Sequence, residues 1–164
     1  MSQEKILRIA EKLTYSAPEK TTEKAVKKLI AGLTLSDVYL LIDALDKAEQ
    51  DANGRYQQEV GEACAAGSDP QLADFYDNEV RAASRGLAKT VSAIKNSRDI
   101  LRKIGEEREL KPAEVEKVRS AIYSNMKEDD REPREVVETD FAGDWNKYYK
   151  RMARWFDIHL DPII

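Results

Sequence analysis

Two long amphipathic segments dominate the pattern of apolar and polar positions along the chain. In the first segment, apolar residues recur three or four positions apart, and they are Val38, Leu41, Leu45, Ala48, Ala52, Tyr56, Val60 and Ala63. The second segment repeats this spacing with Tyr76, Val80, Ala83, Leu87, Val91, Ile94, Arg98 and Leu101, of which only Arg98 is polar. Because residues three and four apart share one face of an α-helix, each segment predicts a long helix with one apolar stripe.

The short stretch between the stripes, Gly67-Ser68-Asp69-Pro70, predicts a tight turn. Glycine suits a left-handed helix end, Ser68 or Asp69 can cap the next helix, and Pro70 fits a first helical turn. Residues 36–107 are therefore predicted to form a long antiparallel helical hairpin. Its arms are roughly 40 and 50 Å long. A compact domain of this length has a radius of gyration of only about 15 Å. We expect an elongated molecule or an oligomer.

Details within the hairpin sharpen this prediction. The sequence does not decide whether the first arm breaks near Gly54. Cys64 is expected to be a small buried side chain. The run Ala82 to Ala88 is rich in small residues, which allow a partner helix to approach closely. That partner is either the first arm or a second copy of the chain.

The flanking segments predict shorter helices and set the domain limits. An N-terminal helix over residues 2–15 is expected to point Ile6, Ile9, Ala10 and Leu13 inward. A second helix ends near Gly32, and Pro112 begins another one after the hairpin. We predict an all-α helical bundle over residues 1–126, an acidic linker without helical periodicity over 127–140, and a C-terminal helix and tail over 141–164 that dock on the bundle.

The C-terminal helix interleaves aromatic and basic residues behind a cap at Asp144 or Asp140. The candidates for contact with a partner are Trp145, Tyr148, Met152 and Trp155, and the candidates for phosphate binding are Lys147, Lys150, Arg151 and Arg154. The pattern fits a terminal helix docked on its own bundle, or one whose anchors enter a partner's groove. It also fits stacking on bases with phosphate neutralisation, and a membrane surface.

Composition narrows the chemistry that the chain can carry. Its 164 residues have a formal net charge of −4, so no global field attracts nucleic acid or an anionic membrane. One Cys and one His exclude a disulfide within the chain and the standard two-metal helical bundle. No glycine-rich phosphate loop occurs. We therefore expect no catalytic residue, no metal and no cofactor. With no signal peptide and no apolar run that spans a bilayer, a cytoplasmic protein without membrane contact is expected.

The sequence thus favours a non-catalytic helical protein-interaction module, such as an adaptor, assembly factor, inhibitor or chaperone, that forms homo-oligomers and binds a protein of unknown identity. The alternative is a nucleic-acid-associated protein that binds phosphates through the C-terminal helix. An enzyme of unknown type is a second alternative, and an exposed His159 would argue against it.

Overall fold

Across residues 3–66 and 70–163, which a computed structural model of the chain describes, the protein forms seven α-helices and no strand. The helices are α1 Gln3–Thr14, α2 Glu23–Leu29, α3 Leu35–Ala66, α4 Ala73–Glu107, α5 Pro112–Asn125, α6 Pro133–Asp140 and α7 Trp145–Trp155, with one 3-10 turn at Pro18–Lys20. The predicted all-α class is confirmed. Among these described helices, none combines the length and the apolar composition needed to cross a bilayer.

Helices α3 and α4 pack against each other as the long hairpin that the sequence predicts. At 1.5 Å per residue, α3 is about 48 Å long and α4 about 52 Å long. Helix α3 continues without a break through Gly54, and α4 begins at Ala73 rather than at Pro70. The predicted turn and cap at residues 67–69 lie outside the described residues.

The start of α3 shows why the hairpin begins where it does. The backbone N–H of Thr34 donates to Asp37 Oδ2 at 2.9 Å, and the backbone N–H of Asp37 donates to Thr34 Oγ1 at 3.2 Å. This reciprocal pair satisfies two donors that a helix start leaves free. The sequence allows a cap at Thr34 or at Ser36, and Thr34 is the one used.

The first core forms where α1 and α2 cover the N-terminal half of α3 and the C-terminal half of α4. Its buried members are Ile6, Ile9, Ala10, Leu13, Val26, Ile30, Leu33, Val38, Leu41, Ile42, Leu45, Ile94, Leu101 and Ile104. The four inward positions expected in the first helix are all among them. Apolar burial on this scale is the main favourable contribution to the free energy of folding.

Arg98, the one polar residue in the α4 stripe, is kept at the hairpin interface by two carboxylates of α3. Its Nη1 donates to Asp46 Oδ1 at 2.6 Å and to Glu49. The Arg98 side chain is mostly buried, and the two carboxylates hold the pKa of its guanidinium above the ordinary value against the opposing effect of burial. The polar interruption of the stripe is therefore a paired charge.

The second core joins α5, α6, α7 and the C-terminal segment. Its buried members are Leu35, Val118, Ile122, Val137, Tyr148, Ala153 and Leu160. Tyr39 and Ile163 pack against both cores, and the backbone N–H of Ile163 donates to the carbonyl of Leu33 at 2.9 Å. The C-terminal segment therefore returns to the start of the hairpin.

Helix α6 corrects one prediction. The composition of residues 127–140 predicts a linker without helical structure, but the second half of this segment forms α6, with Pro133 at its first position. Val137 is fully buried in the second core. One or two anchors in an eight-residue helix are too few to show a helical period, which explains the error. The division of the chain at residues 126 and 141 stays a prediction.

A buried polar network ties the end of α4 to α5 and to the C-terminal segment. Arg108 donates to Glu114 through both terminal nitrogens, at 2.9 and 2.8 Å. The backbone N–H groups of Lys111 and Asp161 donate to the same carboxylate at 2.9 and 2.8 Å. These donors lower the pKa of Glu114 to about 2, well below its ordinary value, and Arg108 makes the largest contribution. Glu114 is therefore a charged group with its acceptors filled.

The far half of the hairpin projects beyond both cores. We define the distal hairpin as residues 56–66 of α3 and 73–89 of α4, in which Ala63 is the buried residue. Cys64 is exposed, so the expectation of a buried thiol is wrong. Only two helices pack together here, and residues beside the stripe therefore keep their contact with water.

Candidate functional site

The C-terminal helix α7 is set by caps at both ends. The carboxylate of Asp144 accepts a hydrogen bond from the backbone N–H of Lys147 at 3.0 Å, as the sequence predicts. Ala142 and Gly143 both have positive φ, 51° and 81°, and they turn the chain sharply before this cap. At the other end, the N–H of Phe156 donates to the carbonyl of Met152 at 2.9 Å.

The four predicted anchor residues of α7 divide between core and surface. Tyr148 is buried in the second core and Met152 is half-buried against it. Trp145 and Trp155 remain exposed, at 40% and 79% of their full areas. Tyr148 therefore fixes α7 to the bundle, while Trp155 is available for contact with another molecule.

All four predicted phosphate-binding residues line one cleft. This cleft, here called the α7 cleft, has a volume of about 560 Å³ and is lined by Tyr39, Arg102, Glu106, Phe141, Lys147, Lys150, Arg151, Arg154 and Trp155. Five of these side chains are cationic and one is acidic. The cleft is therefore a positive site on a chain whose net charge is negative.

Lys150 forms the floor of the cleft and has a structural task. Its Nζ donates to the carbonyls of Gly105 and Glu106 at 2.7 and 2.8 Å, which lie at the C-terminal end of α4. A cation complements the negative end of the helix dipole at this position. Burial lowers the pKa of Lys150. An ammonium group has three donors, so one is left for a ligand.

Arg154 forms one wall of the cleft through contacts to α3. Its Nη2 donates to Asp43 Oδ2 at 2.9 Å, and its guanidinium carbon lies 4.9 Å from the centre of the Tyr39 ring. Burial raises the pKa of Tyr39, and the Arg154 charge opposes this effect. The guanidinium is therefore held in place with much of its charge already balanced.

Three other cations of the cleft lack an ion pair of the kind that Arg154 makes. Within the described ranges 3–66 and 70–163, the side chains of Arg102, Lys147 and Arg151 make neither a hydrogen bond nor an ion pair. Arg151 lies over the ring of Phe141, with 5.9 Å between the guanidinium carbon and the ring centre. These three charges can therefore meet an anion without first breaking a hydrogen bond or an ion pair.

Sequence reasoning identifies α7 but misses the partner elements of the cleft. The sequence places Arg102 in a group of cations toward the C-terminal end of the second arm, but it gives no reason to select Tyr39. Both residues lie on helices far from α7 in the sequence, and local spacing carries no signal for such an encounter. The group of cations to which Arg102 belongs, with Lys95, Arg98 and Lys103, is the only clue.

A Cys-His catalytic pair in this chain would require its single Cys and its single His. His159 and Cys64 are both exposed, and they lie outside the α7 cleft. Across residues 3–66 and 70–163, no three His, Cys, Asp or Glu side chains cluster closely enough to hold a metal ion. The site therefore offers charge and aromatic surface for binding.

Comparison with known proteins gives no family: no protein-family model, no curated protein and no solved structure matches the chain.

Proposed function

We propose that the protein is a non-catalytic helical interaction module whose α7 cleft binds an acidic segment of a partner protein. The observation that carries this proposal is the group of three unpaired cations, Arg102, Lys147 and Arg151, beside the exposed indole of Trp155. Cations supply attraction and orientation, and a large exposed aromatic side chain supplies contact area.

The surroundings of the cleft favour a short acidic segment over a long polyanion. Glu106 lines the cleft, Asp43 pairs with one wall, and the Asp144 carboxylate caps α7. The phosphates of a polynucleotide would extend beyond the cleft and come close to these carboxylates. The repulsion between the two sets of negative charges acts over a Debye length of about 8 Å at physiological salt. An acidic peptide needs only two or three carboxylates, and these fit inside the cleft.

Selection from a displayed random-peptide library tests the proposal with a partner of unknown identity. The wild-type protein is the bait, and a variant with Arg102→Glu, Lys147→Glu and Arg151→Glu is the counter-selection bait. We expect enriched peptides in which Asp or Glu flanks an aromatic or leucine residue, with binding lost to the variant. Peptides that are not acidic, or that bind both baits equally, would overturn the proposal.

A second candidate function is binding of single-stranded nucleic acid. The observation in its favour is again Trp155, since a base can stack on an exposed indole while nearby cations meet phosphates. Fluorescence anisotropy with labelled oligo-dT of twelve nucleotides separates the two candidates. Binding that falls steeply with salt and disappears in Trp155→Ala supports nucleic acid. Absence of binding at 20 mM salt removes this candidate.

A further inference from the structure

The exposed side of α4 in the distal hairpin carries a second pattern, separate from the stripe that faces α3. Phe75, Glu79, Ala82, Gly86 and Lys89 lie alternately four and three residues apart and are all exposed. We call these five residues the outer stripe. A four-three alternation keeps side chains along one seam of a helix pair. Phe75 is the large apolar member of the outer stripe and exposes 57% of its area.

Charge is sharply divided along the distal hairpin and the turns of α4 that follow it. In residues 56–66 and 70–80, every charged side chain is a carboxylate, and these are Glu59, Glu62, Asp74, Asp77 and Glu79. In residues 81–95, every charged side chain is a cation, and these are Arg81, Arg85, Lys89 and Lys95. None of the nine forms an ion pair within the described part of the chain. Each half therefore has the charge that would complement the other half.

We propose that the outer stripe binds the outer stripe of a second copy of this chain, with the two α4 helices antiparallel and crossing at Ala82. A two-fold axis at Ala82 pairs positions whose numbers sum to about 164. It sets Phe75 beside Lys89 of the second copy, and Glu79 beside Arg85 and Gly86 of the second copy. A two-fold interface makes every such contact twice.

The shape of the outer stripe agrees with this pairing. A Cβ built at Gly86 meets no atom within 4 Å, so packing inside the chain does not require a glycine there. Gly86 and Ala82 leave space in which a partner helix can approach and Phe75 can lie flat. Phe75 already contacts Tyr76 edge-on, with 5.3 Å between ring centres, which restricts its motion before binding.

The size of the contact sets the expected affinity. The outer stripe spans residues 75–89, which is roughly 20 Å of helix. A single helix pair of this length is smaller than a standard stable interface of about 1,600 Å². We therefore expect a reversible dimer with a dissociation constant in the micromolar range.

Sedimentation velocity over a range of protein concentration tests the pairing. The wild-type chain should pass from 18.7 kDa to twice this mass as the concentration rises to about 100 μM. Gly86→Trp should abolish the dimer, because the indole fills the space that the second helix needs. It leaves the monomer intact, since removal of a helical glycine does not cost helix stability. Arg85→Glu should weaken the dimer at least about tenfold, because it places a carboxylate beside Glu79 of the second copy and the two-fold axis repeats this contact.

Matched variants separate this surface from a general charge effect. Lys95→Glu makes the same charge change on the opposite flank of α4 and should leave the dissociation constant unchanged. The double change Glu79→Arg with Arg85→Glu restores complementary charges only if the two helices are antiparallel. It should recover most of the affinity that Arg85→Glu loses.

Spin labels report the orientation directly. In a Cys64→Ser, Ser92→Cys variant, two labels on an antiparallel dimer lie roughly 30 Å apart, from the 1.5 Å rise and a crossing at Ala82. Parallel helices would bring the labels to less than about 20 Å. A protein that stays at 18.7 kDa at 100 μM, a dimer insensitive to Gly86→Trp, or the short distance would each overturn the proposal. Peptide binding at the α7 cleft is a separate readout, and these variants should not change it.

Discussion

The charge of Glu114 should be one of the largest single contributions of a side chain to stability. Its carboxylate lies in the interior and accepts hydrogen bonds from Arg108, from the backbone of Lys111 and from the backbone of Asp161. We expect Glu114→Gln to destabilise the protein strongly, since the amide keeps the shape but removes the charge opposite a mostly buried guanidinium.

The magnitude follows from the pKa. Interactions in the folded protein lower the pKa of Glu114 from 4.5 to about 2. At about 1.4 kcal/mol per pKa unit, this difference corresponds to roughly 3.5 kcal/mol of stability at neutral pH. With a urea slope of about 2 kcal/mol per molar, the unfolding midpoint should fall by about 1.7 M in Glu114→Gln.

The pH dependence gives the sign of the effect. Because the pKa is lowered on folding, the stabilisation is complete above the unfolded-state value and is lost as the pH falls through 4.5 toward 2. The difference in unfolding free energy between wild type and Glu114→Gln should therefore shrink from about 3.5 kcal/mol at pH 7 to about 1.5 kcal/mol at pH 3.

Urea titrations followed by circular dichroism at pH 7, 5, 4 and 3 measure these differences. Glu116→Gln is the matched control, because Glu116 lies on the same helix with its side chain 72% exposed, and it should change stability by less than about 0.5 kcal/mol. A difference between wild type and Glu114→Gln that stays constant with pH would refute the assignment of the stability to this charge.

Three further predictions concern α7 and the thiol. Tyr148→Ala should cost about 3 kcal/mol because its ring is buried, whereas Trp155→Ala should stay within about 0.5 kcal/mol, and urea unfolding compares them. Lys150→Met should cost about 2 kcal/mol in the same assay through the loss of two hydrogen bonds to carbonyls of α4, and a stability equal to wild type would contradict this. Cys64 should react with a thiol reagent in the native protein as fast as it does in urea, and protection until unfolding would show that it is covered.

The features that the sequence predicted correctly are those set by local spacing. Val38, Leu41 and Leu45 recur at helical distances and are all buried, and the caps at Thr34 and Asp144 depend only on neighbours within four residues. Such signals persist whatever the rest of the chain does.

The errors concern which side chains are covered by other helices, and local spacing does not specify this. Cys64 follows Ala63, the last member of the predicted apolar stripe of the first arm, yet it is exposed and belongs to neither core. Val137 lies in a charged stretch and still becomes part of the core, because α5 and α7 leave a space for it. The α7 cleft shows both a correct prediction and an omission. The basic residues of α7 were predicted from their spacing, but the presence of Arg102 beside Lys147 in the cleft depends on how distant helices pack.

Tyr39 and Ile163 belong to the surroundings of both cores, and this sharing has a consequence for cooperativity. Neither core can lose its packing without removing neighbours from the other, so the two should unfold in a single transition. A molecule bound at α7 would then slow amide hydrogen exchange in α1, although α1 does not line the α7 cleft. Binding at the α7 cleft would therefore be detectable at the other end of the bundle, because it would raise the stability of the whole bundle.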